Sequence, residues 1–511
     1  MAKVLVVGGA GYVGSATGAW LMDRGHHVHV LDDLSTGHRK LVLSSHFTES
    51  RCGDRSVVLP LLQRERFDCV MHFAARSLVA ESVEKPTEYY ENNVLQTQAL
   101  LEMMLEAGIP RFIFSSTCAI FGDPGDQKIN EALSKNPKSP YGETKLQVEN
   151  ILEELAFSKR LQSVTLRYFN AAGAEGKLRV GEWHDPESHL IPKLLRAARG
   201  QAKAEIYGTD YPTPDGTCVR DYVHVSDLAA AHESAMHRLL ALPANQGSAE
   251  FFNLGSEHGY SVREITRAAE KVTGVKYQIT ERARRAGDSA RLVADAKLAQ
   301  KELGFKTEFG IDSILATAWS WEQKRQSALK KAVFLDRDGT LNEDPGYLGK
   351  PEQLKLFPQV GEALALLKSQ GFELIIVSNQ SGVGRKIFPE SQLPIIHARM
   401  DELLSPHSVR IDHYELCLHR PEDHCDCRKP KPKLLIGAAR KRGVDLSRSY
   451  MVGDKASDIG AGIAAGVKAT VLVKTGEGEN TLASGRKDFD FTANTLLEAA
   501  RWILIQESAS S

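Results

Sequence analysis

Three regularly spaced glycines stand directly behind the first apolar segment of this 511-residue chain. The segment Lys3–Val7 predicts a strand, and Tyr12–Arg24 predicts the helix that follows it. Glycines between a strand and a helix let the backbone and the helix N-terminus approach a phosphate closely. A tight packing turn is the alternative. The residues that we expect at a bound ligand are Gly8, Gly11, Tyr12, Val13 and Gly14.

Short apolar segments alternate with helix-length amphipathic segments, and this alternation begins again near residue 325. Such a pattern is typical of parallel sheets with helices on both faces. We predict an α/β chain with a Rossmann-type doubly wound sheet and a smaller substrate-binding region over 1–325, a linker over 326–331, and a second Rossmann-like domain over 332–505. The other predicted strands are His27–Leu31, Cys69–Phe73, Arg111–Ser115, Ser163–Arg167, Ala332–Leu335, Leu374–Val377, Tyr450–Val452 and Thr470–Val473.

The composition excludes several classes of protein. The chain has 64 Lys+Arg and 65 Asp+Glu, so it carries no basic excess for binding nucleic acid. No apolar run approaches the ~18–20 residues of a membrane span, and the N-terminus does not resemble a signal peptide. Seven cysteines, three of them between Cys417 and Cys427, favour a metal site over a disulfide framework. We expect a cytoplasmic protein without nucleic-acid or membrane partners.

Two patterns in the first half predict dinucleotide chemistry. Asp32 and Asp33 end the second predicted strand, where a carboxylate binds ribose hydroxyls and repels a 2′-phosphate, which favours NAD over NADP. Tyr141 and Lys145 lie on one face of a predicted helix. A lysine ammonium beside a phenol lowers the pKa of the phenol, so Tyr141 is a candidate proton shuttle. A bare pair of this kind is usually a surface pair, but Thr117 can add a hydroxyl to the same site.

Polar groups at four places in the second half predict a phosphoryl site. Asp336 and Asp338 follow the predicted strand Ala332–Leu335, and one carboxylate can attack phosphorus while the other handles the leaving-group proton. Because the carboxyl ends of parallel strands meet at one edge of a sheet, we expect the four groups to converge. The other members are Ser378, Asn379, Arg428, Lys429, Asp454 and Asp458.

A cluster of metal-ligating residues precedes the basic pair. Cys417, His419, Cys425 and Cys427 form a CxH…CxC pattern within eleven residues. Thiolate and imidazole ligands in this number match tetrahedral zinc. Four protein ligands leave no open position, so we expect a structural zinc site. Unliganded buried thiols are the alternative.

The first half resembles the UDP-glucose 4-epimerase family of extended short-chain dehydrogenases/reductases. The segments that carry this resemblance are GGAGYVG, LDDLSTG, HFAA, YGETK, RYFNAAGA, HLIP, Ile206–Ala229 and RRAGD. The resemblance implies that Tyr141 is the base, Lys145 its pKa partner and Thr117 a hydroxyl donor at the sugar C4, with NAD regenerated in every cycle. Sugar-nucleotide dehydratases carry an Asp–Glu pair after that threonine, and here Cys118 and Ala119 follow instead.

The same resemblance implies further binding residues. Asp54 and Asn92 would contact the cofactor, Asp54 at the adenine. The UDP part would be held by Asn170, Leu190, Tyr207, Arg220 and Arg285. Arg76 departs from the family pattern near the cofactor, and Leu292 stands where some relatives carry a tyrosine, which predicts room for N-acetylated sugars. The resemblance also implies a homodimer formed through this half.

The second half, over about 330–500, resembles haloacid-dehalogenase-type phosphatases, and among them D-glycero-D-manno-heptose-1,7-bisphosphate 7-phosphatases. The segments concerned are DRDGTLNEDPGYL, VSNQSGVGR, HCDCRKPKP and SYMVGDKASDI. The resemblance implies Asp336 as nucleophile, Asp338 as general acid and then base, and Mg²⁺ on Asp336, Asp454 and the Asp338 carbonyl. The substrate-binding residues would be Ser378, Asn379, Arg428 and Lys429.

Together these patterns favour a bifunctional enzyme acting on a nucleotide sugar and a sugar phosphate, with NAD, Mg²⁺ and structural Zn²⁺. The first expectation is a UDP-glucose/UDP-galactose 4-epimerase joined to a heptose-bisphosphate phosphatase. A UDP-N-acetylhexosamine or nucleotide-heptose epimerase, joined to a histidinol-phosphate or other sugar-phosphate phosphatase, is the alternative. A third hypothesis, that one half is a catalytically inactive binding module, conflicts with the complete Tyr141/Lys145 and Asp336/Asp338 pairs.

Overall fold

A computed structural model describes residues 1–184, 187–200, 202–243, 246–285 and 288–508. The chain divides into two compact units, Met1–Arg325 and Gln326–Ser511. Among the described helices, none is long and apolar enough to cross a membrane.

The first unit alternates strands and helices from its first residues. Its strands are β1 (Lys3–Val7), β2 (His27–Asp32), β3 (His46–Glu49), β4 (Cys69–His72), β5 (Arg111–Thr117), β6 (Gln162–Tyr168), β7 (Asn170–Ala172), β8 (Ala204–Tyr207), β9 (Val219–His224), β10 (Ser248–Leu254), β11 (Gly259–Ser261), β12 (Ile279–Arg282) and β13 (Arg291–Leu292). Its helices are α1 (Tyr12–Asp23), α2 (Arg55–Glu65), α3 (Val79–Glu84), α4 (Pro86–Tyr90), α5 (Gln96–Glu106), α6 (Pro140–Phe157), α7 (Leu190–Ala198), α8 (Val225–Ala241), α9 (Val262–Thr273), α10 (Lys297–Leu303) and α11 (Ile311–Ala328).

Seven parallel strands form the central sheet of this unit, in the order β10-β6-β5-β4-β1-β2-β3. Alternate side chains of β1 enter different apolar cores: Val4 and Val6 pack on one face, and Leu5 and Val7 on the other. A sheet buried on both faces explains why its strands read as continuous apolar runs. The strand order reverses between β1 and β4, and ligands of such sheets bind at the carboxyl ends of the strands beside the reversal.

A smaller region stands beside this sheet. Strand β9 pairs antiparallel with β11 and parallel with β13 and β7, and β8 pairs with β12. Apolar side chains of α7, α9 and α11, among them Ile191, Ile265 and Ile314, form its core. The sequence analysis predicted a smaller region in this half, and its role in binding substrate stays a prediction.

The second unit repeats the parallel α/β plan. Its strands are β14 (Lys331–Leu335), β15 (Phe372–Asn379), β16 (His413–Cys417), β17 (Tyr450–Gly453), β18 (Ala469–Val473) and β19 (Phe491–Ala493). Its helices are α12 (Val360–Ser369), α13 (Ser381–Gly384), α14 (Gln392–Leu404), α15 (Lys433–Arg442), α16 (Ala456–Ala465), α17 (Gly478–Ala483) and α18 (Leu496–Ser508). The six strands are all parallel, in the order β16-β15-β14-β17-β18-β19.

The predicted parallel strands are confirmed, with small differences at their ends. Strand β5 runs two residues further than predicted, because its ladder with β6 continues to the pair Thr117 and Tyr168. The segment predicted as a linker, 326–331, is mostly regular: α11 extends to Ala328 and β14 begins at Lys331.

Candidate active sites and metal centre

The glycine turn of the first unit has the geometry of a phosphate cradle. Gly8 has a φ of +80°, and a Cβ there would lie 2.4 Å from the backbone nitrogen of Ala74. A Cβ on Gly14 would lie 2.4 Å from the Gly8 carbonyl oxygen. Helix α1 begins after Gly11 without a side-chain cap, so its first amides are free of side-chain acceptors. Tyr12 and Val13 supply those amides, and the turn fits the pyrophosphate of NAD.

Asp32 positions this turn. Its two carboxylate oxygens accept hydrogen bonds from the amides of Ala10 (2.9 Å) and Leu34 (2.8 Å). Burial raises the pKa of Asp32 to about 6. Each oxygen has a second lone pair, so the carboxylate can still receive ribose hydroxyls. Asp33 accepts from the Ser35 amide at 2.9 Å.

The residues predicted around the rest of the cofactor have local partners. Asp54 caps α2 by accepting from the Ser56 amide at 3.0 Å. Asn92 donates to its neighbour Asn93, which is buried. The Asn93 side chain accepts from the Arg76 amide at 2.8 Å and donates to the Arg76 carbonyl at 3.0 Å, while contact of Asn92 with the cofactor stays a prediction. The strand-end segment after β4 is therefore held by a residue that the sequence analysis did not select.

Arg76, the residue that departs from the family pattern, has its side chain beside two glutamates. Its guanidinium lies 3.4 Å from Glu81 and 3.0 Å from Glu88. The positive charge is therefore already paired within the protein.

Tyr141 and Thr117 meet at the carboxyl end of β5. Thr117 ends that strand, and its hydroxyl lies close enough to the Tyr141 phenol to affect the pKa of the phenol. Burial raises the pKa of Tyr141 to about 12, although the neighbouring Thr117 hydroxyl opposes this. Lys145 is 2% exposed and donates to the Ser115 carbonyl at 2.7 Å. Burial lowers the pKa of Lys145 to about 7.

These values correct one expectation from the sequence. We expected the Lys145 ammonium to lower the pKa of the Tyr141 phenol. Burial is the largest influence on the pKa of both side chains, and the ammonium donates to the Ser115 carbonyl. The phenol and the lysine are on one face of α6 as predicted, but the proton-accepting form of the phenol needs a further positive charge.

A buried ion pair lies next to this site and connects α6 to the central sheet. Glu149, four residues after Lys145 on α6, accepts from Arg167 at 3.0 Å and 2.7 Å and from the Ser116 hydroxyl at 2.7 Å. Both charged side chains are at most 1% exposed. The pair joins α6 to β5 and β6. The regular spacing of Tyr141, Lys145 and Glu149 was a signal that the sequence analysis missed.

The residues predicted to hold UDP lie in the smaller region of the first unit. Asn170 opens β7, and Leu190 is the first residue of α7. Arg220 on β9 donates to the Ser289 carbonyl at 2.8 Å. The guanidinium of Arg285 stacks on the ring of Tyr207, 3.8 Å from its centroid. Two residues of the RRAGD segment, 286 and 287, lie outside the described part of the chain.

Leu292 pairs with Arg220 across the strands β13 and β9. Its side chain packs against an apolar cluster that contains Cys118 and Phe169. Cys118 directly follows Thr117, so Leu292 lies beside the segment that carries the candidate catalytic hydroxyl.

Lys429 forms salt bridges with two carboxylates in the second unit. Its ammonium lies 2.8 Å from Asp336 and 2.7 Å from Asp458, and it donates to the Val377 carbonyl at 2.6 Å. Burial acts to lower the pKa of Lys429, but the two carboxylates hold it above the usual value. The strand ends therefore converge here as predicted.

A third carboxylate completes an acidic centre. Asp454 is fully buried and accepts from the Thr340 hydroxyl at 3.1 Å and the Glu477 amide at 2.9 Å. Burial, together with the charge of Asp336, raises the pKa of Asp454 to about 7. Oxygen atoms of Asp336, Asp454 and Asp458 all lie within 4.8 Å of one another. Buried carboxylates this close fit a hard divalent cation such as Mg²⁺.

The carboxylate of Asp338 accepts several hydrogen bonds. It accepts from Arg337 at 3.0 Å and 2.7 Å, from Asn342 at 2.9 Å and from Gln380 at 2.9 Å. Burial acts against ionisation, but these donors hold the pKa of Asp338 below its usual value. These donors favour the ionised side chain, the form that serves as a base.

The acidic centre opens into a cleft of about 230 Å³. Its lining includes predicted site residues and residues of the two segments DRDGTLNEDPGYL and VSNQSGVGR. The residues are Asp336, Asp338, Gly346, Tyr347, Leu348, Ser378, Asn379, Ser381, Gly382, Arg428 and Lys429. Asn379 also has a structural role, because its amide accepts from the Lys429 amide at 3.1 Å and donates to the Lys429 carbonyl at 3.2 Å. Asn379 therefore positions Lys429, which its predicted substrate-binding role did not include.

The four predicted zinc ligands converge next to this cleft. The sulfur atoms of Cys417, Cys425 and Cys427 lie 3.3 to 3.6 Å apart, and Nδ1 of His419 lies 3.3 Å and 3.7 Å from two of them. Tetrahedral zinc with ordinary bond lengths separates such ligands by roughly 3.5–3.8 Å. The donor set therefore fits zinc.

Comparison with known proteins identifies the first unit. The sequence profile of the NAD dependent epimerase/dehydratase family matches residues 4–255, and a HAD-hydrolase-like profile matches residues 426–499. The UDP-glucose 4-epimerase of Lactobacillus helveticus is 45% identical over 324 residues, which are 63% of this chain and 97% of that relative.

Solved structures match over the same share of the chain. The UDP-glucose 4-epimerase from Brucella ovis in complex with NAD has a TM-score of 0.60 and 44% identity, covering 63% of this chain and 98% of that one. The enzyme from Bifidobacterium longum in complex with NAD+ and UDP has a TM-score of 0.61 and 34% identity, covering 64% of this chain and 100% of that one. This chain therefore belongs to the NAD dependent epimerase/dehydratase family.

Proposed function

We propose that the first unit is an NAD-dependent epimerase that interconverts UDP-glucose and UDP-galactose, and that the second is a Mg²⁺-dependent sugar-phosphate phosphatase. The observation that carries the first part is the placement of Tyr141 beside Thr117 at the carboxyl end of β5 and of Lys145 behind it on α6, in a unit whose glycine turn fits NAD. Relatives that are 45% identical over nearly their whole length carry the same activity in their names.

In the epimerase, the protein's own residues would hold and move one proton at O4 of the sugar. Bound NAD would supply the hydride acceptor and donor and, in its oxidised form, the positive charge that favours the Tyr141 phenolate. The Tyr141 oxygen would take the proton from O4 and later return it, and the Thr117 hydroxyl would orient that oxygen. Lys145 has a pKa of about 7, so it can release or accept a proton near neutral pH and adjust the charge beside the phenol.

The nucleotide would be held in the smaller region. Arg220 and Arg285 suit a diphosphate, because guanidinium groups pair with phosphate oxygens bidentately. Tyr207 would support Arg285 by ring stacking, and Asn170 and Leu190 would contact the remainder of UDP. The resemblance to the family also favours assembly as a homodimer through this unit, which analytical ultracentrifugation would test.

The epimerase is tested by two measurements on the purified protein. Denaturation should release about one NAD per chain, and native protein should convert UDP-galactose to UDP-glucose without added NAD. Absence of both bound NAD and conversion would refute the proposal.

In the phosphatase, Asp336 would attack phosphorus and form an aspartyl phosphate while the bond from phosphorus to the sugar oxygen breaks. Asp338, protonated at that stage, would give its proton to the departing sugar oxygen. Asp336 and Asp454 would hold Mg²⁺, which when bound would neutralise charge on the phosphoryl oxygens. Lys429 and Ser378 would hold those oxygens, and the ionised Asp338 would take the proton of the water that cleaves the acyl phosphate. The four cysteine and histidine ligands would bind a structural zinc ion that fixes the segment leading to Arg428 and Lys429.

We propose D-glycero-D-manno-heptose 1,7-bisphosphate as the substrate of this unit. The support is the position of the family-distinctive residues: Gly346–Leu348 and Ser381 line the cleft, and Arg428 there can meet a second phosphate. A panel of sugar phosphates and histidinol phosphate, assayed with Mg²⁺, tests this. Preference for histidinol phosphate would favour the alternative substrate.

A further inference from the structure

A second group of metal-ligating side chains lies in the first unit, outside the proposed epimerase chemistry. Glu182, His184, Glu187 and His189 occupy the segment between β7 and α7. One ligand atom from each side chain lies within 4.8 Å of all the others. The proposed zinc ligands of the second unit are different residues, so this group needs its own explanation.

The distances within the group match a small tetrahedral metal ion. Oε1 of Glu182 lies 2.9 Å from Nδ1 of His189 and 3.4 Å from Nδ1 of His184. Oε1 of Glu187 lies 3.4 Å and 3.8 Å from the same two nitrogens. Zinc with N and O ligands at their usual bond lengths separates neighbouring ligand atoms by roughly 3.4 Å.

Hydrogen bonds account for only part of the arrangement: Oε1 of Glu187 accepts from the amides of Ser188 and His189, both at 2.9 Å. Nδ1 of His184 and Nδ1 of His189 are both enclosed, and neither has a hydrogen-bond partner among the described residues. The two nitrogens lie 2.9 to 3.8 Å from the carboxylate oxygens, and a shared metal ion requires only that all four atoms face one point. Metal ligands meet this condition.

The charges of the group also call for a cation. The Glu182 and Glu187 side chains are only 7% and 3% exposed, so two negative charges are removed from water together. Arg196 approaches Glu187 no closer than 3.7 Å. Buried like charges are costly unless a positive charge is placed between them. Protonated His189 is one such charge, because Glu182 and Glu187 raise its pKa to about 10 against the effect of burial. A divalent cation bound by two neutral imidazoles and the two carboxylates is the other, and it would bring the group to zero net charge.

We propose that Glu182, His184, Glu187 and His189 form a structural site for a divalent transition-metal ion, zinc by preference. Four protein ligands close the coordination sphere, and mixed imidazole and carboxylate donors suit zinc. The site joins two parts of the nucleotide-binding region. His189 is the N-cap of α7, and the ring of Tyr12, at the start of α1, meets His184 edge-on with centroids 6.4 Å apart.

The test is the zinc content of full-length protein. Wild type, His184→Ala and a matched control, His258→Ala on an exposed loop, are saturated with Zn²⁺, freed of loosely bound metal and measured by mass spectrometry. We expect His184→Ala to contain one zinc per chain less than wild type, and His258→Ala to contain the same amount as wild type. Because the result is a difference, it does not depend on zinc in the second unit. Equal zinc in wild type and His184→Ala would overturn the proposal.

A second measurement covers the case in which His184→Ala does not fold. Cys427→Ser protein, in which the sulfur-rich site is impaired, is freed of metal and titrated with Co²⁺. Visible absorption of tetrahedral Co²⁺ lacking thiolate-to-metal charge transfer, together with a rise in the melting temperature, would support the site. Absence of any tetrahedral Co²⁺ signal from this variant would overturn it.

Discussion

Lys145 is a buried base whose charge the fold destabilises, and its replacement by methionine should stabilise the NAD-free protein. The side chain is 2% exposed, and burial lowers its pKa from 10.5 to about 7. A shift of this size corresponds to about 4 kcal/mol of cost at pH 7. Methionine removes the charge with little change of volume but leaves the Ser115 carbonyl without its donor, a loss of about 1 kcal/mol. The net gain expected for Lys145→Met is therefore about 3 kcal/mol.

The gain should depend on pH in a defined direction. Because the folded-state pKa lies below that of a free lysine, the cost is complete below about pH 7 and disappears as the pH rises towards 10.5. The advantage of Lys145→Met over wild type should therefore shrink between pH 7 and pH 9, by about 1.4 kcal/mol per pH unit. Epimerase activity should be lost at both pH values.

Urea unfolding of NAD-free protein, followed by tryptophan fluorescence, measures these differences. Four of the five tryptophans, Trp20, Trp183, Trp319 and Trp321, are in the first unit, so the signal reports mainly on it. Lys138→Met, at an exposed lysine of the same unit, is the matched control and should change stability little. The reasoning would be refuted if Lys145→Met were less stable than wild type at pH 7. It would also be refuted if the variant exceeded wild type in free energy of unfolding by the same amount at pH 7 and pH 9.

Three further outcomes are expected. Native protein should epimerise UDP-N-acetylglucosamine, and Leu292→Tyr should suppress this substrate more than UDP-glucose; no turnover of the N-acetylated substrate by wild type would contradict the role of Leu292. Cys427→Ser should lower zinc content and phosphatase activity together while epimerase activity persists, and full phosphatase activity would argue against a zinc-supported loop. Asn379→Ala should lower phosphatase kcat on the order of 10²-fold, because a displacement of about 1 Å at Lys429 is enough for such a loss; unchanged kcat would exclude the positioning role.

The sheets could be predicted from the sequence because both faces of their strands are buried. In β1 and β14 successive residues enter different apolar cores, so each strand is a continuous apolar run followed by polar loop residues. The strand-end carboxylates Asp32, Asp336 and Asp454 could be located for the same reason. The short strands of the smaller region, such as β13 with two residues, carry no comparable pattern.

The protonation states and the supporting contacts could not be predicted. The pKa values of Tyr141 and Lys145 depend on burial by segments distant in sequence, which spacing along one helix does not reveal. The pairing of Glu149 with Arg167 joins residues of α6 and β6, and Asn379 meets Lys429 fifty residues later. Such contacts depend on how the elements pack, not on any local pattern.

The central claim, that Tyr141 is the base of an NAD-dependent epimerase, is tested most directly by Tyr141→Phe. Conversion of UDP-galactose to UDP-glucose should fall by at least ~10²–10⁴-fold, because the variant lacks the phenol oxygen that we propose takes the O4 proton. Bound NAD and phosphatase activity should equal those of wild type, and Tyr260→Phe on β11 should remain active. Conversion by Tyr141→Phe at a rate close to that of wild type, with NAD bound, would contradict the account.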